Sequence, residues 1–599
     1  MIDLHNMVRD RVQKAKALAI TLGTIIGYVA RHIPSRLDNE ESYVKVVVSP
    51  DVYYNFNFIG KLGIILGAID IKTLYFVLLR VVGYERFDAT SFLYSDSSLA
   101  TISNVDEEPG SLLTNTILKC EMLTKIDPLN SKEPEVADIV LEPQSPVIIP
   151  KPDLVERALN LSNGDIKIGF LDIPGINAKV SINSYDLNYH MIVIGTTGAG
   201  KTSFIKNLIM AMVNSRSRSK VFIFDATGDY YNIFLPPEVY NNEHEELLGS
   251  RIFNLEVNIL FPISSKWAKK YLKNNKRDVY SIASVYYLLY IKPIIDYLQN
   301  KGLKLYSTIN KNSIIISNSE WNGKANILPF YFRFKDVKRI LHKLNPYFTE
   351  QASHFLRILI NKNWSEFKKI DDLINFVLDE DKFENIRIHR STRENIVRGL
   401  YLLKETGLFN IGVDRYPFSS LLENNNIQIN IIDLYNSEID DFAQKILSYY
   451  FLDKIFNYRE KEMKSGGVKD RIVIVIDEAH RFFPSSKGSE EDNTYVRRVA
   501  NKISTLMRLG RRRKVGFIFS THNPNDLNDI VIQLSNTKVV FRTKPEIAES
   551  LGLSKVEARN LSWERNGVAY LISPWLREGK IKIRIPLPPA IGHYDLSRT

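Results

Sequence analysis

The stretch from Met191 to Ser203 leaves this chain few ways to fold. It reads MIVI, then GTTGAGKT, then SFIKNLIMAM: a strand of buried type, a glycine-rich turn and an amphipathic helix. Gly195, Gly198 and Gly200 permit backbone conformations that a Cβ forbids, so successive N–H groups can curl around an anion. The following helix turns the positive end of its dipole toward the same point. The run Gly195, Thr196, Thr197, Gly198, Ala199, Gly200, Lys201, Thr202 and Ser203 is therefore a candidate nucleotide-phosphate loop. In that pattern Lys201 reaches the β- and γ-phosphates of ATP, and Thr202 offers its hydroxyl to Mg²⁺. Agreement between strand, glycines, Lys-Thr and helix separates it from an ordinary turn.

At 599 residues the chain exceeds one hydrophobic core, and two to four domains are expected. Hydrophobic content of 44% with 25% charged residues is that of a folded globular protein, not a disordered or fibrous one. A formal charge of +11 suits a polyanionic partner without requiring one. Cys120 is the only cysteine, so the chain has no internal disulfide framework or cysteine metal site. That fits a reducing, cytoplasmic setting. The apolar run from Ala17 to Ala30 is shorter than a bilayer span, contains Gly23 and Gly27, and lacks a cleavage site. Basic residues precede it, which leaves peripheral membrane attachment open.

Residues 1–21 have helical spacing, with Val8, Val12 and Ala15 on one side. Residues 22–125 break into short β-rich runs, the pattern of a small barrel or sandwich. Pro128, Pro134, Pro143, Pro146, Pro150 and Pro152 mark 126–155 as a linker. Residues 156–234 hold the phosphate loop and a second apolar strand, KVFIFD, whose end places Asp225 toward a ligand crevice. Asp229 follows in the turn. Residues 235–425 read as a mainly helical insertion with one β-containing excursion at 300–321. From 426 to 599 short apolar strands return at 427–434, 471–480, 515–522 and 537–543. Such runs, separated by helices, imply an α/β core with a mainly parallel sheet.

RIVIVIDEAH carries the second strong signal. Its apolar strand delivers Asp477 and Glu478 to the carboxyl end, where Asp477 can hold Mg²⁺ and Glu478 can activate the attacking water. Downstream, Arg508, Arg511, Arg512, Arg513 and Lys514 cluster where a helix turns into a strand. As a group they suit a helix C-terminus facing solvent.

GTTGAGKT, FDATGDYY, IDEAHRFFP, RLGRRRKVGF and STHNP together resemble the motifs of the HerA-like branch of the FtsK/HerA ATPases. GTIIGYV and the strands after it resemble that family's small N-terminal β-barrel. The resemblance implies a RecA-like P-loop core and a homohexamer that moves double-stranded DNA through its channel. It implies that Lys201 and Thr202 bind phosphate and Mg²⁺, that Asp477 and Glu478 carry metal and water, and that Arg511 is a finger acting in a neighbour's site. Asp225 and Asp229 fall where the family has an aspartate and a glutamate. His522 falls where relatives usually have a glutamine sensing the γ-phosphate, and Tyr189 where they often have arginine. Two settings are implied: DNA-end processing with a NurA-type nuclease, and DNA import or conjugative transfer at a membrane channel. An ATP-switched DNA clamp or scaffold is the alternative of another class, against which Glu478 speaks.

Overall fold

A computed structural model describes residues 2–37, 42–88, 114–130, 133–161, 164–215, 217–240, 242–243, 253–272, 277–379, 388–467, 470–485 and 490–592. Parts of the expected linker and of the 235–425 insertion lie outside the described residues. The chain forms two compact units, Met1–Gly164 with Gly169–Ile182 and Ser573–Arg584, and Asp165–Ile168 with Asn183–Ile572 and Ile585–Thr599.

In the first unit a helix, Ile2–Leu22, runs directly into β1 (Gly23–Val29). Ala15 and Ala19 are buried but Val8 is 45% exposed, so the covered stripe starts later than the expected Val8–Val12–Ala15 face. β1 pairs antiparallel with β2 (Ser42–Val48), and β2 with β5 (Thr114–Ile126). β5 continues to β4 (Phe76–Asp88), and β4 to β3 (Ile65–Ile69). β3 then pairs with β6 (Pro146–Pro150), which returns to β1. The pairings thus run in a ring, with alternate residues such as Val44, Val46 and Val48 turned into one apolar cluster. β6 lies within the stretch expected to be a linker. Its prolines stand at the strand's two ends, where a missing N–H interrupts the ladder least.

The second unit is built on one sheet. Its strands are β7 (Met191–Ile194), β8 (Ser219–Asp225), β9 (Phe253–Pro262), β10 (Tyr306–Asn310), β11 (Ser313–Ser317), β12 (Trp321–Phe330), β13 (Ile429–Asp433), β14 (Arg471–Ile476), β15 (Val515–Thr521), β16 (Thr537–Phe541) and β17 (Val568–Ile572). Their spatial order is β17-β16-β7-β15-β14-β8-β13-β9-β12-β11-β10. From β16 to β12 every pairing is parallel, and antiparallel strands close both ends. The central strands are buried along their whole length, which explains their continuous Ile, Val and Phe content. The 235–425 segment is therefore more than a helical body, because β9 to β12 extend the sheet itself. β15 lies between β7 and β14, and all three strands point the same way, so the residues leaving them emerge side by side at one edge.

Candidate nucleotide site

After β7 the chain turns through Gly195–Gly200 into the helix Lys201–Asn214. Gly198 and Gly200 hold φ angles of 74° and 118°, which a Cβ would strain. The loop is pinned from outside. Gly567 N–H donates to the Ala199 carbonyl (2.9 Å), and the Thr196 N–H and hydroxyl donate to the Arg542 carbonyl (2.9 and 3.1 Å).

Lys201 is 7% exposed, and its Nζ donates to the carbonyls of Gly195 (2.8 Å) and Thr196 (3.2 Å). The same Nζ lies 2.9 Å from His522 Nδ1, and His522 Nε2 lies 2.7 Å from Glu478 Oε1. One tautomer satisfies both contacts: Nδ1 accepts from the ammonium and Nε2–H donates to the carboxylate. Burial, with Lys201 beside it, holds His522 below the ordinary histidine range, which agrees with a neutral ring. Burial and then Asp477 push Glu478 up to about 7, while burial pulls Lys201 down. Glu478 occupies the left-handed region, φ 46°, an unusual place for a glutamate and one often found at working sites.

Asp477 is 3% exposed and accepts from the Thr227 hydroxyl at 3.0 Å. Burial raises its pKa. Asp229 Oδ2 lies 3.4 Å from Thr202 Oγ1 and 3.5 Å from Thr227 Oγ1. Lys201, Thr202, Asp229, Asp477, Glu478 and His522 all line one cavity of about 430 Å³. Thr202, Asp229 and Asp477 bring hard oxygen donors, which fits Mg²⁺ held by few protein groups together with water and phosphate. No cluster of three His, Cys, Asp or Glu that could hold a metal ion exists among the described residues.

Asp225 corrects the expectation that it faces the crevice. It is fully buried and does not line the cavity. Its carboxylate accepts the N–H groups of Gly228 (2.8 Å), Asp229 (3.1 Å), Tyr230 (2.9 Å) and Tyr231 (2.8 Å). It therefore shapes the turn that carries Thr227 and Asp229. Burial and then neighbouring Asp433 push it to about 7.

Arg511 is not brought to this cavity. It sits in the last turn of the helix Glu490–Arg513, before β15, with its guanidinium 4.5 Å from the centre of the Tyr189 ring. His522 follows the opposite end of that strand, and seven β residues span about 20 Å. His190 fixes this corner. Its Nε2 lies 2.9 Å from the Met507 carbonyl, and its Nδ1 accepts from Phe517 N–H at 3.2 Å.

Five residues escaped sequence reasoning. Thr227 and His480 flank the acids, the latter 3.3 Å from Glu478 Oε2. Lys206, fully buried in the loop's own helix, donates to the carbonyls of Ile591 (2.7 Å) and Gly592 (3.2 Å). Pro588 and Gly592 line the cavity as well. A lysine between Ile205 and the apolar run Leu208–Val213 is a readable signal, but its partners nearly 400 residues away are not.

The sequence profile described as "Helicase HerA, central domain" matches residues 166–455. That of the "ATPase family associated with various cellular activities" matches 424–543. A probable helicase of Methanocaldococcus jannaschii is 23% identical over 474 residues, covering 76% of this chain and 71% of that one. The DNA double-strand break repair helicase HerA of Sulfolobus acidocaldarius is 23% identical over 396 residues, covering 65% and 61%. Among solved structures, a bacterial conjugative coupling protein superposes with a TM-score of 0.43 at 12% identity over 74% of this chain and 94% of that one. The phosphate loop, the paired acids at the end of β14 and the HerA profile agree: residues 166–455 form a HerA-like central domain, and the chain is an enzyme that hydrolyses ATP.

Proposed function

We propose that this ATPase is a motor that moves double-stranded DNA. The observation that carries the reading is the hydrogen-bonded line Lys201–His522–Glu478 across a cavity that also holds Thr202 and Asp477. A switch that only binds ATP has no need of a water-activating acid, whereas a motor turning over continuously does. Lys201 and the loop amides bind the β- and γ-phosphates. Glu478 takes a proton from the water that attacks the γ-phosphate, and the ADP oxygen departs. Mg²⁺, when bound by Thr202 and Asp477, offsets the charge that builds on the phosphate oxygens.

DNA as substrate is supported by the likeness to DNA double-strand break repair helicases and by the excess of basic residues. Arg511, beyond reach of its own cavity, suits a homohexamer in which each subunit completes its neighbour's site. In this reading the N-terminal ring of strands is the small barrel of the family, residues 235–425 are an insertion in the motor core, and the partner is a NurA-type nuclease at DNA ends.

A second setting, DNA transfer at a membrane channel, draws on the helix Ile2–Leu22. Leu4, Met7 and Val8 stand exposed on it beside Arg9 and Arg11. Among the described residues no helix is long and apolar enough to cross a membrane, so such attachment would be peripheral.

The test compares ATP turnover and displacement of a protein block on duplex DNA for the natural chain and Glu478→Gln. DNA-stimulated turnover that vanishes in the variant while nucleotide binding persists supports the motor. Equal turnover in both proteins sinks the role of Glu478, and turnover indifferent to DNA sinks the substrate.

A further inference from the structure

The second unit contains another polar cavity, of about 490 Å³, that shares no lining residue with the nucleotide site. Lys343, Arg357, Arg498 and Lys502 converge on it from three helices, Leu341–Leu344, Glu350–Lys362 and Glu490–Arg513. Two carboxylates, Glu350 and Asp453, also line it. Asp453 is already committed to an ion pair with Lys502. Arg498 donates to the Thr349 carbonyl at 3.4 Å. Lys343 and Arg357 are exposed and make no ion pair among the described residues.

His342 lines the same cavity, is 7% exposed, and leaves Nδ1 without a hydrogen-bond partner among the described residues. Burial, followed by Lys343 and Arg357, lowers its pKa to about 4. Burial is the main reason this imidazole stays neutral, and the nearby cations add to it; four cations against two carboxylates leave the cavity with a net positive charge. Gathering like charges in this way costs stability, and an anion placed among them reverses the cost. Arginine takes phosphate oxygens through a planar fork, and lysine meets them as a point charge.

The arrangement differs from the nucleotide loop. It presents side-chain cations instead of a nest of backbone amides, and the exposed pair sits on two separate helices. Side-chain cations of this kind hold backbone phosphates without reading sequence. The helix Glu490–Arg513 adds a mechanical link, since it bears Arg498 and Lys502 in its middle turns and Arg511 in its last turn. The span between Arg498 and Arg511 is about 20 Å of a single rigid element at roughly 1.5 Å per residue.

We propose that Lys343, Arg357, Arg498 and Lys502 form a second anion site that grips phosphodiester groups of duplex DNA, so that engagement of DNA and presentation of Arg511 act through one helix. The inference rests on the motor reading and names where the substrate touches the chain.

The test measures binding of a fluorescent random-sequence duplex by anisotropy between 50 and 200 mM salt. The natural chain is compared with Lys343→Gln/Arg357→Gln, two exposed sites where the fold tolerates change. The double variant should bind about 10-fold or more weakly at the low-salt end, and its slope of log K against log salt should fall by about 1.8, near 0.9 per lost phosphate contact. Thermal unfolding at an unchanged temperature keeps the comparison free of misfolding. Unchanged affinity and slope overturn the site while leaving the motor reading intact. No duplex binding by the natural chain overturns both. Calorimetry with inorganic pyrophosphate adds a last arm: pyrophosphate binding that the double variant loses, with duplex binding intact, overturns DNA as the occupant in favour of a free phosphate compound.

Discussion

Glu478 and His522 meet through one short contact, Oε1 to Nε2 at 2.7 Å, and the other ring nitrogen of His522 rests 2.9 Å from Lys201. The residue expected to handle the attacking water and the residue expected to hold the phosphates are therefore two ends of one polar line. That line exists because β15 lies between β7 and β14 in the sheet, so the residue leaving β15 falls between the residues leaving its neighbours.

Turnover should carry the signature of Glu478. The residue must be a carboxylate to accept a proton, and its pKa is raised to about 7. kcat/KM should therefore fall as pH drops below 7, approaching about tenfold per unit on the acid side. A profile that is flat from pH 6 to 8 would count against Glu478 as the acceptor.

Replacement of His522 should separate its two contacts from its titration. His522→Gln retains an amide donor for Glu478 and a carbonyl oxygen near Lys201, and should keep turnover within about fivefold. His522→Ala removes the donor that favours the charged carboxylate, so the acid limb should move to higher pH and turnover fall about 10- to 100-fold. pH–rate profiles of both variants check this, and identical behaviour would remove the ring from the mechanism.

Arg511→Ala should abolish turnover without dissolving assembly. Mixed with Lys201→Ala subunits, it should recover part of the activity, because each mixed interface can supply the half that its neighbour lacks. No recovery at any ratio rules out action between subunits. Tyr189→Phe should leave Arg511 seated, while Tyr189→Ala should cost about 0.5–1 kcal/mol of positioning, roughly a two- to fivefold loss in turnover.

Asp225 should matter for stability more than for chemistry. Asp225→Ala strands four N–H groups, two buried and two partly buried, and should lower stability by about 3 kcal/mol or more, read as a fall in melting temperature. Its folded pKa of about 7 lies above the ordinary carboxylate value, so the stability it confers is complete at acid pH and declines as pH rises from about 4 to about 7. Asp225→Asn should remove that part of the pH dependence. An unchanged stability profile would show that Asp225 is ionised in the fold.

Gly516→Ala tests the corner beneath Arg511. A Cβ there would stand 2.1 Å from the Leu187 carbonyl oxygen, a clash with backbone that no rotamer relieves. A loss of about 2 kcal/mol or more is expected, checked by denaturant unfolding. Wild-type stability would mean that the turn from Ser184 to Tyr189 can yield.

The phosphate loop and the Asp477–Glu478 pair were legible because their chemistry is local. Gly195 to Ser203 sets its own curvature within nine residues, and two adjacent acids after a strand reach its end wherever that strand lies in the sheet. The apolar runs likewise declared their own extension and burial. The sequence by itself determined these units and their chemical type.

Only the tertiary structure decided how they meet. Strand order placed His522 between Lys201 and Glu478, burial turned Asp225 from a crevice residue into the anchor of a turn, and β9 to β12 joined the sheet instead of forming a separate helical body. Pairing of β6 with β1 made a strand of a proline-rich stretch, and Lys206 found its acceptors near the far end of the chain. Each outcome depends on which distant backbone lies alongside, and residue spacing along a chain carries almost no record of that.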